Sequence, residues 1–251
     1  MKLRIGAVIF GTSAALAAWI GMADNRIAAS PASATETNVP KTAFERFRYS
    51  FFEDPTSAQD GLDLGSLRAL QGAERERAEE MLLAYLPDDR AVIGLGVLRS
   101  KRAQASLVSL LEAERQREIQ TQREGLEYWS SAPGDIAKAL WYVQPDRRWL
   151  TIIVHELATR RQWTTRMNAA LAMFDICDPE ATSALIHALD DDEELVRHHA
   201  ARALLATHGL SPDSKDPQHM IFRVMAKDGA RREAAKKDIL AAIEGRPLCQ
   251  P

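Results

Sequence analysis

From Gly61 onward, apolar residues return at steps of three and four. Ala78, Leu82, Tyr85 and Leu86 form one such series, Val92, Leu95 and Leu98 a second, and Ala103, Leu107, Leu110 and Leu111 a third. Steps of that length revisit one side of a helix on every turn, so each series predicts an amphipathic helix that buries one face. Strand signals are scarce over the same region, and short breaks separate the series. Asp178-Pro179 and Asp216-Pro217 both read as an Asp N-cap followed by proline at the first helical position, where the missing N–H costs nothing. Asp191 and Glu194 stand in capping-box register ahead of Leu195, so a further helix is expected to begin there. The expected fold class is all-α.

The first sixty residues follow other rules. Lys2 and Arg4 precede an uncharged apolar run from Ile5 to Met22, after which Asp24, Asn25 and Arg26 return the chain to water. That is the pattern of a targeting segment, and two readings stay open. One is a signal peptide over residues 1–23, cut after Gly21-Met22-Ala23 or, more distantly, after Ala32-Ser33-Ala34. The other is a retained anchor over residues 5–22, at the lower end of the roughly 17 to 25 residues that span a bilayer. Positive charge ahead of the run places the rest of the chain outside the cytoplasm in both, periplasmic or otherwise extracytoplasmic, with an inner-membrane tether in the second. Residues 24–42 are rich in Ala, Ser, Thr, Pro and Asn and bury too little apolar surface to repay ordering, so they read as a disordered linker. Residues 43–60 open with Phe44, Phe47, Tyr49, Phe51 and Phe52, which read either as one β-strand or as an aromatic cap on the first helices. Residues 61–245 form the helical domain, and residues 246–251 a tail.

Self-similarity along this domain is the decisive pattern. Residues 180–205 read EATSALIHALDDDEELVRHHAARALL: an apolar helix, an acidic turn, Val196-Arg197, then Ala200-Ala201 before Leu204. One period upstream, Arg166 answers Arg197 and Ala169-Ala170 answer Ala200-Ala201, with Leu150 to Leu157 as the first helix. Downstream, Arg231 and Ala234-Ala235 take those places, and Ile239 closes the helix. A fainter copy runs from Asp88-Asp89-Arg90-Ala91-Val92 to Gly96, with Ile93 where the Arg would stand. The pattern resembles the HEAT-repeat family, in particular its phycobilisome-lyase-type HEAT-like branch, over most of residues 73–243. The resemblance implies a short α-solenoid of antiparallel helical hairpins. Small residues on the second helices would let neighbouring hairpins approach closely, which gives Gly94 and Gly96 a packing reason despite their cost of about 1 kcal/mol each in a helix. Arg166, Arg197 and Arg231 are expected to form a structural ladder, each reaching the acidic turn of the adjacent unit.

Composition narrows the function. With 32 basic and 35 acidic residues the net charge is -3, so there is no global basic field of the kind that binds nucleic acid. Cys177 and Cys249 are too few for a disulfide framework; an exported address would permit one bridge, but spacing does not fix connectivity and a bridge is not the expectation. Glu112 to Glu127 is charged and Gln-rich and is expected to be a solvated extension. Trp129, Trp141, Trp149 and Trp163 are expected to fill core.

Candidate chemistry is thin. His155-Glu156 lacks a second His four residues on, His198-His199 point in different directions on a helix, and no nucleophile elbow, P-loop or dinucleotide fingerprint occurs. No catalytic, cofactor or metal-ligating set is therefore named. What remains is the extended face lined by the second helices, where Met167, Asn168, Leu171, His198, His199, Arg202, Arg232, Glu233 and Lys236 are the candidate partner-binding residues. That face has a basic lean, which suits a protein partner with acidic character. The reading is an exported, non-enzymatic scaffold or adaptor of the cell envelope, a role that includes inhibition of or immunity to a secreted protein. The resemblance to lyase-type repeats implies the alternative, a protein that binds or handles a chromophore or cofactor.

Overall fold

The computed structural model describes residues 42–53, 62–128, 130, 132–213, 216 and 218–249. Residues 1–41, which hold the expected targeting segment and nearly all of the linker, lie outside the described residues, as do Trp129 and Pro217. Among those described there are twelve α-helices and no strand. They are α1 (Ala43–Arg48), α2 (Leu64–Ala69), α3 (Gly72–Ala84), α4 (Asp89–Val97), α5 (Gln104–Arg123), α6 (Ala132–Val143), α7 (Arg147–Thr159), α8 (Trp163–Ala172), α9 (Pro179–Ala188), α10 (Glu194–Thr207), α11 (Met220–Arg223) and α12 (Gly229–Ile243). No helix of the described residues is long and apolar enough to cross a membrane.

From α3 onward the helices pair into consecutive antiparallel hairpins, and α4, α6, α8, α10 and α12 pack side by side as the second members. This is the expected α-solenoid. Its core is continuous from Phe44 to Ile243, each unit burying its apolar face on its neighbours. Close approach of the second helices rests on small residues. A Cβ at Gly96 would lie 2.8 Å from the Ala139 backbone, and one at Gly94 2.8 Å from Leu82, so both glycines are there for packing. Ala169, Ala200 and Ala235 are all buried at the corresponding place one turn after an arginine.

Those arginines hold the hairpins shut. Arg166 Nη1 donates to the carbonyls of Arg160 and Arg161 at 2.9 Å each, Arg197 Nη1 to those of Asp191 and Asp192 at 2.6 and 2.9 Å, and Arg232 Nη1 to those of Ala226 and Lys227 at 3.3 and 2.9 Å. Each guanidinium thus satisfies the two turn carbonyls five and six residues behind it, which have no helical partner. Its free edge reaches the next unit. Arg166 grips the Asp191 carboxylate at 2.7 and 2.8 Å, and Arg197 Nε donates to the Val224 carbonyl at 2.8 Å. The ladder is real but its third rung is Arg232, not Arg231, whose guanidinium donates to Gln218. The correct register pairs Ala235-Lys236 with Ala200-Ala201.

Two cap assignments also change. Asp178 caps α9 with Pro179 at the first position, as expected. Asp191 does not cap α10; its carboxylate is taken by Arg166 and by the Glu193 N–H, and the helix starts without a side-chain cap. Asp216 accepts from the Gln218 N–H, and the cap of α11 is His219.

The aromatic segment is helical rather than a strand. Thr42 and Glu45 close a capping box at 2.9 and 3.1 Å, and α1 widens into a π turn at Tyr49–Glu53. Phe44, Phe47 and Phe51 are buried, and Phe52 packs 4.5 Å from the Tyr85 ring, so the segment covers the first hairpin. At the other end, Cys177 and Cys249 are bridged. This corrects the expectation from spacing. The Cys249 N–H donates to the Thr207 carbonyl at 2.7 Å, so the tail lies against the end of α10 with its sulfur beside the turn that follows α8.

Two consequences are measurable in urea unfolding. Arg232→Met should cost about 2 kcal/mol by stranding turn carbonyls, while Arg231→Met should change stability by less than about 0.5 kcal/mol. Cys177→Ser/Cys249→Ser, which opens a loop of sequence separation 72, should cost about 3 to 4 kcal/mol, and reductant should do the same to the parent protein.

Candidate binding groove

The second helices enclose a groove of about 630 Å³ between α2, α4, α6 and α8. Its floor comes from apolar positions one or two turns apart. On α4, Asp89, Ile93 and Val97 follow at i, i+4 and i+8, which puts them on one stripe, and Ile93 is more than a third exposed. On the far side Leu171 and Ala172 of α8 and Phe174 beyond it complete the apolar lining.

Across the middle of the groove lies α6. Lys138 points to the far wall, where Nζ donates to the Leu171 carbonyl at 3.3 Å, pairs with Asp175 at 3.8 Å and sits 5.5 Å from the Tyr142 ring centre. The Tyr142 hydroxyl donates to Asp175 as well. Burial pushes the Lys138 ammonium down, against the opposing pull of Asp175, and the Arg68 guanidinium on the α2 rim adds to the fall. Burial with the Asp175 charge pushes the Tyr142 hydroxyl up. These groups lock α6 to α8 and leave the wall polar but satisfied. Asp89 differs. Among the described residues its carboxylate makes no hydrogen bond or ion pair, and partial burial, followed by the charges of Asp88 and Glu114, pushes its carboxyl up.

Behind α6 a second set of polar groups is buried. The charged stretch expected to be solvated does extend α5 to Arg123, but its inward row, Glu114 and Glu118, docks on the stack. Tyr128 donates to Glu114 at 2.6 Å, Arg160 donates to Glu118 and, at 3.4 Å, to Glu156, and the Arg160 guanidinium lies 5.5 Å from the Tyr128 ring centre. Glu156 is 2% exposed. Its carboxylate occupies the space beside Gly134, where a Cβ would come within 2.2 Å of Oε2. Burial pushes the Glu156 carboxyl up to about 8; Arg160 opposes this, while Asp135 and Glu118 add to it.

The candidate partner-binding residues are scattered by the structure. Asn168 and Leu171 line the groove, whereas Met167 packs partly buried on the core. His198 directs Nδ1 at the Ile221 carbonyl at 3.1 Å, and its Nδ1 therefore carries the proton. Burial pushes His198 down, and burial with the charges of His198 and Arg202 pushes His199 down to about 4, so both rings are neutral at pH 7. Arg202 pairs with Asp213 at 2.7 Å and lies 5.8 Å from the Phe174 ring. Arg232 is the clasp of the last turn, Lys236 pairs with Asp190 at 2.6 Å, and Glu233 is exposed. The basic lean read from the sequence is thus spent within the molecule. Of the tryptophans, Trp149 is buried and Trp141 partly buried on the core, while Trp163 is exposed. Among the described residues no cluster of His, Cys, Asp and Glu could hold a metal ion.

Sequence reasoning passes over Ile93, Lys138, Tyr142 and Asp175 as groove residues. Only Ile93 leaves a signal, since it interrupts the faint upstream copy where an arginine is sought.

Residues 135–205, which run from α6 to α10, match the family of HEAT repeats. Residues 135–205 thus carry HEAT repeats, and the match takes in Arg166 and Arg197 of the arginine ladder and the α6–α8 wall of the groove. It supports the repeat family and does not reach the lyase-type branch. No curated protein and no solved structure matches the chain.

The raised carboxyl of Glu156 gives stability a pH dependence of definite sign. The folded state holds a proton that the unfolded state releases near the ordinary value of 4.5, so stability falls as pH rises from about 4.5 through about 8. Glu156→Gln should flatten this limb, raising the unfolding free energy at pH 8 by about 4 kcal/mol relative to the parent protein while changing little at pH 4.5. Urea titrations at a series of pH values check it.

Proposed function

We propose that this chain is an exported scaffold or adaptor of the cell envelope that holds a protein partner on its second-helix face. HEAT repeats generally mediate protein–protein interaction. The observation that carries the reading is the groove itself. It is an apolar cavity framed by four helices, with Ile93 exposed on its floor and Asp89 left without a counter-charge at one end. Repeat stacks use such continuous faces to hold partners, since each unit adds surface without closing the stack.

Export is supported by two independent features. Lys2 and Arg4 ahead of an apolar run are the composition of a targeting segment. The Cys177–Cys249 bridge is of the kind that persists in oxidising compartments outside the cytoplasm. The tether, if the apolar run is kept, would leave the groove facing the same extracytoplasmic space.

The test is affinity capture by the full chain from an envelope extract of its own source, read by mass spectrometry. A partner should be retained by the parent protein and by Glu233→Arg, and lost with Ile93→Glu/Asn168→Arg, which charges the groove floor. Recovery of the same proteins with the double variant would show that binding, if any, uses another face.

A further inference from the structure

The groove has a chemical polarity that names its occupant more closely, an inference that rests on the groove being the binding face. Apart from Arg68, which lines the α2 rim, the cations in and near it are engaged inside the protein. Lys138 is held by Asp175 and the Leu171 carbonyl, Arg202 by Asp213, and Lys236 by Asp190. Arg68, on the α2 rim, acts on Lys138 and Tyr142 at the opposite end of the cavity from Asp89. His198 and His199 carry no charge at neutral pH. Asp89 is the exception. It stands at the first turn of α4, exposed, with no cationic partner among the described residues, and Asp88 and Glu114 surround it with like charge. Asp135 of α6 lines the same cavity, so two carboxylates from adjacent helices flank an apolar floor. One turn along the stripe from Asp89 comes Ile93, and two turns along comes Val97.

We infer that the groove takes a short amphipathic segment of a partner protein, one that lays apolar side chains on Ile93 and Val97 and sets a lysine or arginine against Asp89. The recognition mode is a helix or turn in a groove, with anchors at helical spacing, and the cation supplies the counter-charge that Asp89 lacks. Such a residue relieves the crowding of like charge around Asp89, whereas an acidic residue there would add to it. Electrostatic complementarity of this kind selects the partner and its orientation more than it adds raw affinity. The acidic partner expected from the sequence is thereby replaced by a basic one, because the cations that would have received it are already paired.

The experiment uses two fluorescein-labelled helical 14-residue peptides with the same leucine spacing, one carrying lysines and the other glutamates at the flanking positions. Binding to the full chain is read by anisotropy at low ionic strength. The lysine peptide should bind at least tenfold more tightly than the glutamate peptide. Asp89→Lys, at an exposed helix start, should reverse that preference, and circular dichroism confirms its fold. Ile93→Glu should weaken both peptides, while Glu244→Lys at the far end of the stack should leave the ratio unchanged. Equal binding of the two peptides, or a ratio untouched by Asp89→Lys, would overturn the basic-segment inference while leaving the groove in place through Ile93→Glu. Failure of the lysine peptide to bind at all would also overturn it. If Ile93→Glu changed neither peptide, the groove reading itself would fall with it.

Discussion

A helical hairpin must turn its chain around, and the turn leaves backbone carbonyls that neither helix can satisfy. In the last three units of this stack one guanidinium per hairpin resolves that problem, because five N–H donors in a fixed fork can cover two carbonyls with one edge and face outward with the other. Arg166, Arg197 and Arg232 all take the two carbonyls five and six residues back. The outward edge of Arg166 then meets Asp191, and that of Arg197 the carbonyls at Val224 and Met225. Spacing between units is set by the reach of an arginine, and the alanines one turn on are what allow the helices to come that close. A lysine could not substitute, since a compact ammonium lacks the planar fork that serves two carbonyls and a neighbouring unit at once.

The groove is a by-product of this register. Where the arginine ladder stops, upstream of α8, the units are joined instead by the Lys138–Asp175–Tyr142 contacts and by the buried carboxylates behind α6. Glycine takes the alanine place at Gly96, against Ala139, while Gly94 and Gly134 make room for Leu82 and for the Glu156 carboxylate. The groove runs along Ile93 and Val97 at this same junction. Glu156, kept mostly protonated by its burial, makes the same junction sensitive to pH in a range where exposed carboxyls are silent.

Much of the fold is readable in the sequence because repeat residues do the same physical task in each copy. Asp178-Pro179, the Ala pairs and Arg166 and Arg197 are legible for that reason. The third rung is not, since Arg231 with Ala234-Ala235 keeps the Ala pair, whereas the true register sets Arg232 ahead of Ala235-Lys236; only the distance to the turn carbonyls reveals it. Asp191 has the spacing of a cap, but its partner, Arg166, belongs to another unit. The bridge between Cys177 and Cys249 is illegible because separation along the chain says nothing of proximity in space. The groove is half visible: Asn168 and Leu171 fall in a copy readable by eye, whereas Lys138 and Tyr142, though within the matched residues, are groove residues only through the packing of α6 against α8. Charges on the second helices are visible as residue types, but their neutralisation by Asp213 and Asp190 depends on packing.

An open stack unravels most easily from its ends, one hairpin at a time, because a terminal unit has a single neighbour. Here the last unit is short, with α11 only four residues long, yet the covalent link from Cys249 returns to Cys177 ahead of α9. The final two hairpins therefore belong to a closed ring. Tension applied at the C-terminus is delivered through sulfur to the turn beyond α8 and bypasses α9 to α12 altogether. A pull on this end therefore arrives two residues from Asp175, at the groove wall itself, and the short last hairpin carries none of it.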